Sequence, residues 1–401
     1  MKKMLELEDL DLANLRGVRT FVRVDFNVPM VGENGDRVGD ITRLEEALPT
    51  IRELIAAGAR VVLASHHGRP QGRPNPKYSL RPVATTFAEL LGRPVAFAAD
   101  CVGPAAQTAV AALPDGGVCL LENLRFHAGE ETNESDFADQ LAALAEAYVD
   151  DAFGSAHRAH ASVVAVAERL ARKAAGRLLV REVAALGRLL DAAEKPFVAL
   201  LGGAKIADKT ATLENLLPKL DIVMIGGGMA NTFLVCQGFD LQSSLVEREA
   251  VDLARAILER AKRQGAEVLL PTDLVVADDL AHPTQIHTVR AQAVPPGLMA
   301  LDIGPETRRA FAEAVGRART LFWNGPLGVF EHPPFDAGTR EVALALANGS
   351  GFTVCGGGET VAAARQAGVL EKIGHVSTGG GASLEFLAGK TLPGVAVLER
   401  G

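Results

Sequence analysis

The residues best suited to chemistry fall into two groups, one in each half of the chain. The first half sets basic and amide side chains at the ends of short apolar runs: Arg23-Val24-Asp25-Phe26-Asn27, Arg43, Ser65-His66-His67-Gly68-Arg69, Asn123-Leu124-Arg125 and Ala156-His157-Arg158-Ala159-His160. Arginines from several strand ends can converge on one anion through forked, charge-assisted hydrogen bonds; scattered, the same arginines are solvated surface charges. His157 and His160 lack the H-E-x-x-H spacing of a zinc pair, which favours ordinary hydrogen-bonding roles.

The second half carries four glycine clusters, Gly202-Gly203, Gly226–Gly228, Gly356–Gly358 and Gly379–Gly381, each after a strand candidate and before a helix candidate. Glycine at a strand's carboxyl end lets the backbone approach a phosphate, and the following helix N-terminus offers free N–H groups. A single cluster is equally well explained as a tight turn; four on one sheet suggest a nucleotide. Known fingerprints narrow the reading. Gly203-Ala204-Lys205-Ile206-Ala207-Asp208-Lys209-Thr210 has Asp208 where a P-loop needs its second glycine. Asn231, Val361 and Leu384 stand where a dinucleotide G-x-G-x-x-G would need its last glycine, which weakens a nicotinamide dehydrogenase.

These groups need a scaffold that brings strand ends together. Short β-branched runs alternate with amphipathic helical segments along the chain, the pattern of an α/β protein with parallel sheets covered by helices. Strand candidates are Thr20–Val28, Arg60–Ala64, Val95–Ala98, Val118–Glu122 and Ala147–Asp151, then Phe197–Leu201, Ile222–Ile225, Glu267–Leu270, Thr320–Trp323, Phe352–Cys355 and His375–Ser377. A length of 401 residues exceeds one ordinary core, so two doubly wound, Rossmann-like domains are expected. The alanine-rich, charged stretch Glu168–Lys195 reads as the helical hinge between them.

The formal charge of −8 disfavours general affinity for nucleic acid or anionic lipid, and no apolar run is long enough to span a bilayer. Acids interrupt the N-terminal stretch Leu5-Glu6-Leu7-Glu8-Asp9, where a signal peptide needs continuous apolar residues, so export is not expected. Cys101, Cys119, Cys236 and Cys355 are widely spaced and read as core residues of a reducing, cytoplasmic compartment.

RVDFNVP at 23–29, SHHGRP at 65–70, LLENLRF at 120–126 and DAFGSAHRAH at 151–160 resemble the phosphoglycerate kinase family. GGAKIADK at 202–209, IGGGMANTF at 225–233, WNGPLGVFE at 323–331, GGGET at 356–360 and STGGGASLE at 377–385 continue that resemblance in order, over nearly the whole chain. It implies reversible phosphoryl transfer between 1,3-bisphosphoglycerate with ADP and 3-phosphoglycerate with ATP, in glycolysis and gluconeogenesis, by a cytoplasmic monomer using Mg²⁺. The implied domains are 1–170 with the C-terminal segment 384–401 for 3-phosphoglycerate, a hinge at 171–195, and 196–383 for the nucleotide.

By the same resemblance Asp25, Asn27, Arg43, His66, Arg69, Arg125 and Arg158 hold 3-phosphoglycerate. Gly203, Lys205, Lys209, Gly227, Asn324, Pro326, Gly328, Glu331, Gly357, Gly358, Glu359 and Thr360 serve the nucleotide, with Glu331 on the ribose and Glu359 on magnesium. Arg43, Lys205 and Lys209 are the implied catalytic cations. Three positions depart from the family's usual residues: Glu359 for aspartate, Asn231 for phenylalanine and Ala300 for glycine. The nucleophile would be a carboxylate, ionised at neutral pH, so no catalytic base is needed, and separately loaded domains would meet by hinge closure. A catalytically silent nucleotide binder on this fold would be marked by loss of Lys205 or Arg43, and both are present.

Overall fold

The structure is a computed structural model that describes residues 3–32 and 35–400. The chain divides into two compact units, Met1–Ala184 with Thr391–Gly401, and Ala185–Lys390.

Unit 1 is built on a parallel sheet of β1 (Arg19–Val24), β4 (Arg60–Ala64), β5 (Ala96–Phe97), β6 (Val118–Leu120), β7 (Ala147–Asp151) and β8 (Arg172–Ala175), in the order β5-β6-β4-β1-β7-β8; β2 (Met30–Val31) and β3 (Arg37–Val38) form a separate antiparallel ribbon. The central strands are buried along nearly their whole length, as a parallel sheet covered on both faces requires. Val22, Leu63 and Val149 pack with Leu44, Ile51 and Leu54 of the helix Thr42–Ala56 and with Val83 and Phe87 of the helix Arg81–Leu91. Each such buried side chain contributes about 1.5–3 kcal/mol of transfer free energy. Register pairs Arg23 with both Ala64 and Asp150, so the carboxyl ends of β1, β4 and β7 are level and the segments leaving them are neighbours.

Unit 2 repeats the plan with β9 (Phe197–Leu201), β10 (Ile222–Ile225), β11 (Glu267–Leu269), β15 (Thr320–Asn324), β16 (Phe352–Gly356) and β17 (His375–Ser377), in the order β11-β10-β9-β15-β16-β17. Leu201 pairs with Ile225 on one side and Asn324 on the other, which sets three glycine-bearing turns side by side. β12 (Asp273–Ala277), β13 (Ile286–Arg290) and β14 (Met299–Ile303) add an antiparallel sheet in the order β13-β12-β14.

The two parallel sheets covered by helices are the architecture expected from the sequence. Four details differ. β1 stops at Val24, because Asp25 and Asn27 leave the ladder to bond Arg43 and the Gly68 amide. The stretch read as a helical hinge opens with β8, which pairs with β7 in the first sheet; its helix is Arg177–Asp191. Residues 384–390, expected with the first domain, fall in unit 2, where the Leu384 and Leu387 carbonyls accept from Thr212 at 2.8 Å and Asn215 at 2.8 Å. The antiparallel sheet of β12, β13 and β14 has no counterpart among the strand candidates.

Candidate active site

In unit 1 the segments after β1, β4, β6 and β7 form one polar network. Arg43 donates through Nη1 to Asp25 Oδ2 at 3.0 Å and to the Asn27 carbonyl at 3.0 Å. Asn27 Oδ1 accepts from the Gly68 amide at 2.9 Å, and the Gly68 carbonyl accepts from Arg125 Nη1 at 2.8 Å. Gly68 sits at φ +60°, and a β-carbon there would run into the Tyr78 ring, so the close turn requires glycine. Asn123 locks the turn: its Oδ1 accepts from the His67 amide at 3.1 Å and its Nδ2 donates to the His67 carbonyl at 2.7 Å.

Beneath lies Arg23, fully buried, bonded to Ser162 Oγ at 2.9 Å, Ser155 Oγ at 3.2 Å, His66 Nδ1 at 3.1 Å and the Val24 carbonyl. Burial, then the charges of Arg23, Arg125 and Arg43, hold the His66 imidazole well below its usual range, so it is neutral near pH 7. Burial followed by Arg23, Arg125 and Arg158 lowers His160 to about 3. Glu130, itself buried, offsets this cationic cluster and binds the Ser162 hydroxyl at 2.6 Å. The structure thus gathers Asp25, Asn27, Arg43, His66, Arg125 and Arg158 around one polar surface rich in arginine. Arg69 is exposed and makes no hydrogen bond or ion pair with any of them.

In unit 2 the glycine turns interlock. Gly202 and Gly203 donate to the Asn324 and Pro326 carbonyls at 3.0 and 2.8 Å, and Gly227 donates to the Leu327 carbonyl at 2.9 Å. A β-carbon on Gly202 would lie 2.0 Å from the Pro326 oxygen, and one on Gly227, at φ +63°, would lie 2.7 Å from the Gly203 nitrogen. Asn324 Nδ2 donates to the Gly356 carbonyl at 2.6 Å, and Thr360 Oγ1 bridges the Gly325 amide and the Gly356 carbonyl at 2.7 Å each. These contacts tie the turn after β16 to the turn after β15, and through it to the other two.

The interlocked turns edge a cavity of about 390 Å³, completed by side chains such as Leu245, Leu274, Met299, Leu301 and Val329. Gly203, Gly227, Pro326, Gly328, Glu331 and Glu359 line it, and so do Asn231 and Ala300. Lys205, Lys209, Asn324, Gly357, Gly358 and Thr360 are outside its wall. Lys209 Nζ and Glu359 Oε2 both approach Gly203, within 3.3 and 3.9 Å of where its β-carbon would be. Burial lowers the Lys209 ammonium below its usual range, with Glu359 and Asp208 partly restoring it. Lys205 is exposed, with no hydrogen bond or ion pair among the described residues.

Sequence reasoning missed Asp302. It is buried beside the cavity, accepts from the Gly338 amide at 2.7 Å, and would meet a β-carbon on Gly328 at 2.3 Å, so it shapes the loop that Gly328 belongs to. Burial pushes it up to about 7, against the Gly338 N–H and Arg308. The readable signal was an acid inside the apolar run Leu301–Ile303. Arg23, named in its motif but given no site role, is the other omission.

The phosphoglycerate kinase family matches residues 7–390. The phosphoglycerate kinase of Moorella thermoacetica is 54% identical over 394 residues, 98% of each chain, and that of Salinispora tropica is 53% identical over 398 residues, again 98% of each. Among solved structures, the enzyme from Coxiella burnetii superposes with a TM-score of 0.88 at 38% identity over 99% of each chain, and that from Pyrococcus horikoshii with 0.85 at 33% over 98%. The chain belongs to the phosphoglycerate kinase family, ATP:3-phosphoglycerate 1-phosphotransferases that move a phosphoryl group reversibly in glycolysis.

Proposed function

We propose that this transfer uses the two sites just described, with 3-phosphoglycerate on unit 1 and the nucleotide in the unit 2 cavity. The reading rests above all on the turns after β9, β10 and β15, whose backbones touch so closely that no side chain fits at Gly202 or Gly227. Backbone packed that tightly beside an apolar cavity suits a base and ribose in the cavity and phosphates close against the backbone of the turns.

On unit 1, Arg125, Arg158 and the exposed Arg69 would pair the 3-phosphate, while Asp25 and Asn27 take the hydroxyl. Arg43 would face the carboxylate. His66, neutral, would serve as a hydrogen-bonding partner rather than a charge. On unit 2, Glu331 would bind the ribose, Lys205 the transferring phosphoryl and Lys209 the terminal phosphates. Glu359 would hold magnesium: an exposed carboxylate beside Lys209 supplies the hard oxygen the ion prefers, and the ion would neutralise phosphate charge.

In the ATP-consuming direction a carboxylate oxygen of 3-phosphoglycerate attacks the γ-phosphorus, the bond to the β-phosphate oxygen breaks, and ADP leaves. No proton moves in this step, so it requires no general base. Arg43 and Lys205 would neutralise charge on the transferred group, an effect of alignment and electrostatics. With each substrate on its own unit, reacting atoms must be brought to about 3–3.5 Å. The same reading takes the protein as a cytoplasmic monomer, in keeping with cysteines that form no disulfide among the described residues. A coupled assay should show turnover that requires ATP, magnesium and 3-phosphoglycerate together; turnover without 3-phosphoglycerate, or none with all three, would overturn it.

A further inference from the structure

The unit 2 cavity is largely apolar, yet one amide stands in its wall. Asn231 lies one turn into the helix Gly227–Cys236, on the face that begins with Gly227, and it is 2% exposed. Its Nδ2 donates to the Leu245 carbonyl at 3.1 Å. A carbonyl can only accept, so this bond fixes the orientation of the amide and leaves Oδ1 as the other end. Oδ1 makes no hydrogen bond among the described residues. Oδ1 is not among the fully enclosed unpaired atoms, so on a residue that lines the cavity it is an acceptor open to a donor that enters there.

We propose that Asn231 is a specificity residue that selects purines with an amino group at position 6, its Oδ1 accepting from that group. A 6-oxo purine would set oxygen against oxygen at this point and leave the amide unpaired. Discrimination by a buried polar group works this way because the wrong ligand forfeits the bond and strands the partner. Ala300, whose amide is held by Ser244 Oγ at 2.8 Å, lines the same cavity and offers only a methyl group; the other polar side chains of the wall, Asp302, Glu331 and Glu359, are acids, so Asn231 is its one amide.

The proposal rests on the nucleotide occupying this cavity, and the test separates the two claims. Calorimetry would measure ADP and inosine diphosphate binding to the full chain, to Asn231→Leu, to Asn231→Val and to Leu301→Trp, which fills the cavity. The ratio of the two affinities is its own control for partial misfolding, which weakens both ligands alike. The expected result is loss of both nucleotides in Leu301→Trp, and a fall of about tenfold in the ADP preference in both Asn231 variants. Loss in Leu301→Trp with an unchanged ADP preference in the Asn231 variants would overturn the role of Asn231 alone. Unchanged binding in Leu301→Trp would overturn the cavity reading and this proposal with it.

Discussion

Arg43 is held at 3.0 Å by the Asp25 carboxylate, and the same guanidinium nitrogen reaches the Asn27 carbonyl, so one arginine ties together both of the residues after β1 that face the polar surface of unit 1. Asp25 therefore has two tasks in the proposed site, as a ligand and as the group that aims Arg43. Asp25→Ala should weaken 3-phosphoglycerate binding by about 1.5–3 kcal/mol, the scale of a charge-assisted hydrogen bond, and leave ADP binding unchanged because the nucleotide loads on the other unit. Calorimetry with each ligand alone checks this. Equal losses for both ligands would remove Asp25 from a glycerate site.

The buried charges beneath that surface give a pH signature. Burial pushes Asp150 up to about 7, against the Ala152 N–H and Arg23, and its Oδ2 has no partner. The folded state then binds an extra proton between the unfolded carboxylate range and about 7, so this group's contribution to stability falls as pH rises through that window. Asp150→Asn carries no proton and removes the slope. The melting temperature of the variant relative to the parent should therefore rise between about pH 4 and pH 7, by up to about 1.4 kcal/mol per pH unit in stability. His66 acts with the opposite sign: its lowered folded-state pKa makes stability fall as pH drops below the usual histidine range. A difference that stays flat from pH 4 to 8 would show that Asp150 is ionised throughout.

How much of this was written in the sequence depends on the kind of signal each element leaves. Arg60–Ala64 and Phe197–Leu201 are buried on both faces, and their continuous apolar runs were readable as central parallel strands. β13 has no such mark: Ile286–Arg290 is an edge strand, mostly exposed, whose polar residues follow no burial pattern. β8 is four residues with two basic side chains, and only its pairing with β7 makes it a strand. In the sites, glycine turns and strand-end arginines announced themselves by type and place. Asp302 and Arg23 did not, because what matters about each is a set of partners distant in sequence. Arg69 and Lys205 are a third case: their places were readable, but their roles rest on resemblance, since neither makes a hydrogen bond or ion pair among the described residues that would single it out.

The interlocked turns of unit 2 leave a narrow tolerance. Gly227 combines φ +63° with approach to both Gly203 and the Pro326 carbonyl, so a methyl group there is strained and also forces two other turns apart. Gly227→Ala should lower ADP affinity by at least about 1–3 kcal/mol, the cost of a strained conformation, while 3-phosphoglycerate binding stays within twofold of the parent. Retention of ADP binding would mean the phosphates lie elsewhere.

Glu359 offers a test of the metal assignment. Its carboxylate approaches the same glycine as Lys209 Nζ, at the edge of the cavity. Glu359→Gln keeps the shape and removes the charge, so it should raise the magnesium concentration needed for half-maximal activity, whereas Glu359→Asp retains a hard anionic ligand and should remain active. A superimposable magnesium titration for Glu359→Gln would exclude Glu359 from the metal site.

Lys205 is exposed and has no hydrogen bond or ion pair among the described residues, so its ammonium is not engaged in holding the fold. That separates it from Lys209, whose ammonium is part-buried against Glu359 and Asp208 and whose removal would disturb the turn as well as any phosphate. If Lys205 acts on the transferring phosphoryl, its charge matters most when negative charge is spreading over the equatorial oxygens between donor and acceptor, and less for either substrate bound alone. Stabilisation given only to the transition state appears in kcat and not in the Michaelis constants. Lys205→Ala should therefore lower kcat at least about 100-fold, the effect of losing one preorganised electrostatic contact, with changes below about threefold in both Michaelis constants. Because the side chain is exposed and makes no hydrogen bond or ion pair among the described residues, the melting temperature should be unchanged, so a fall in kcat cannot be ascribed to unfolding. A variant with near-normal kcat, or one whose defect lies wholly in the Michaelis constant for ATP, would place Lys205 in ground-state binding and leave the charge of the transferred group to Arg43 and Lys209.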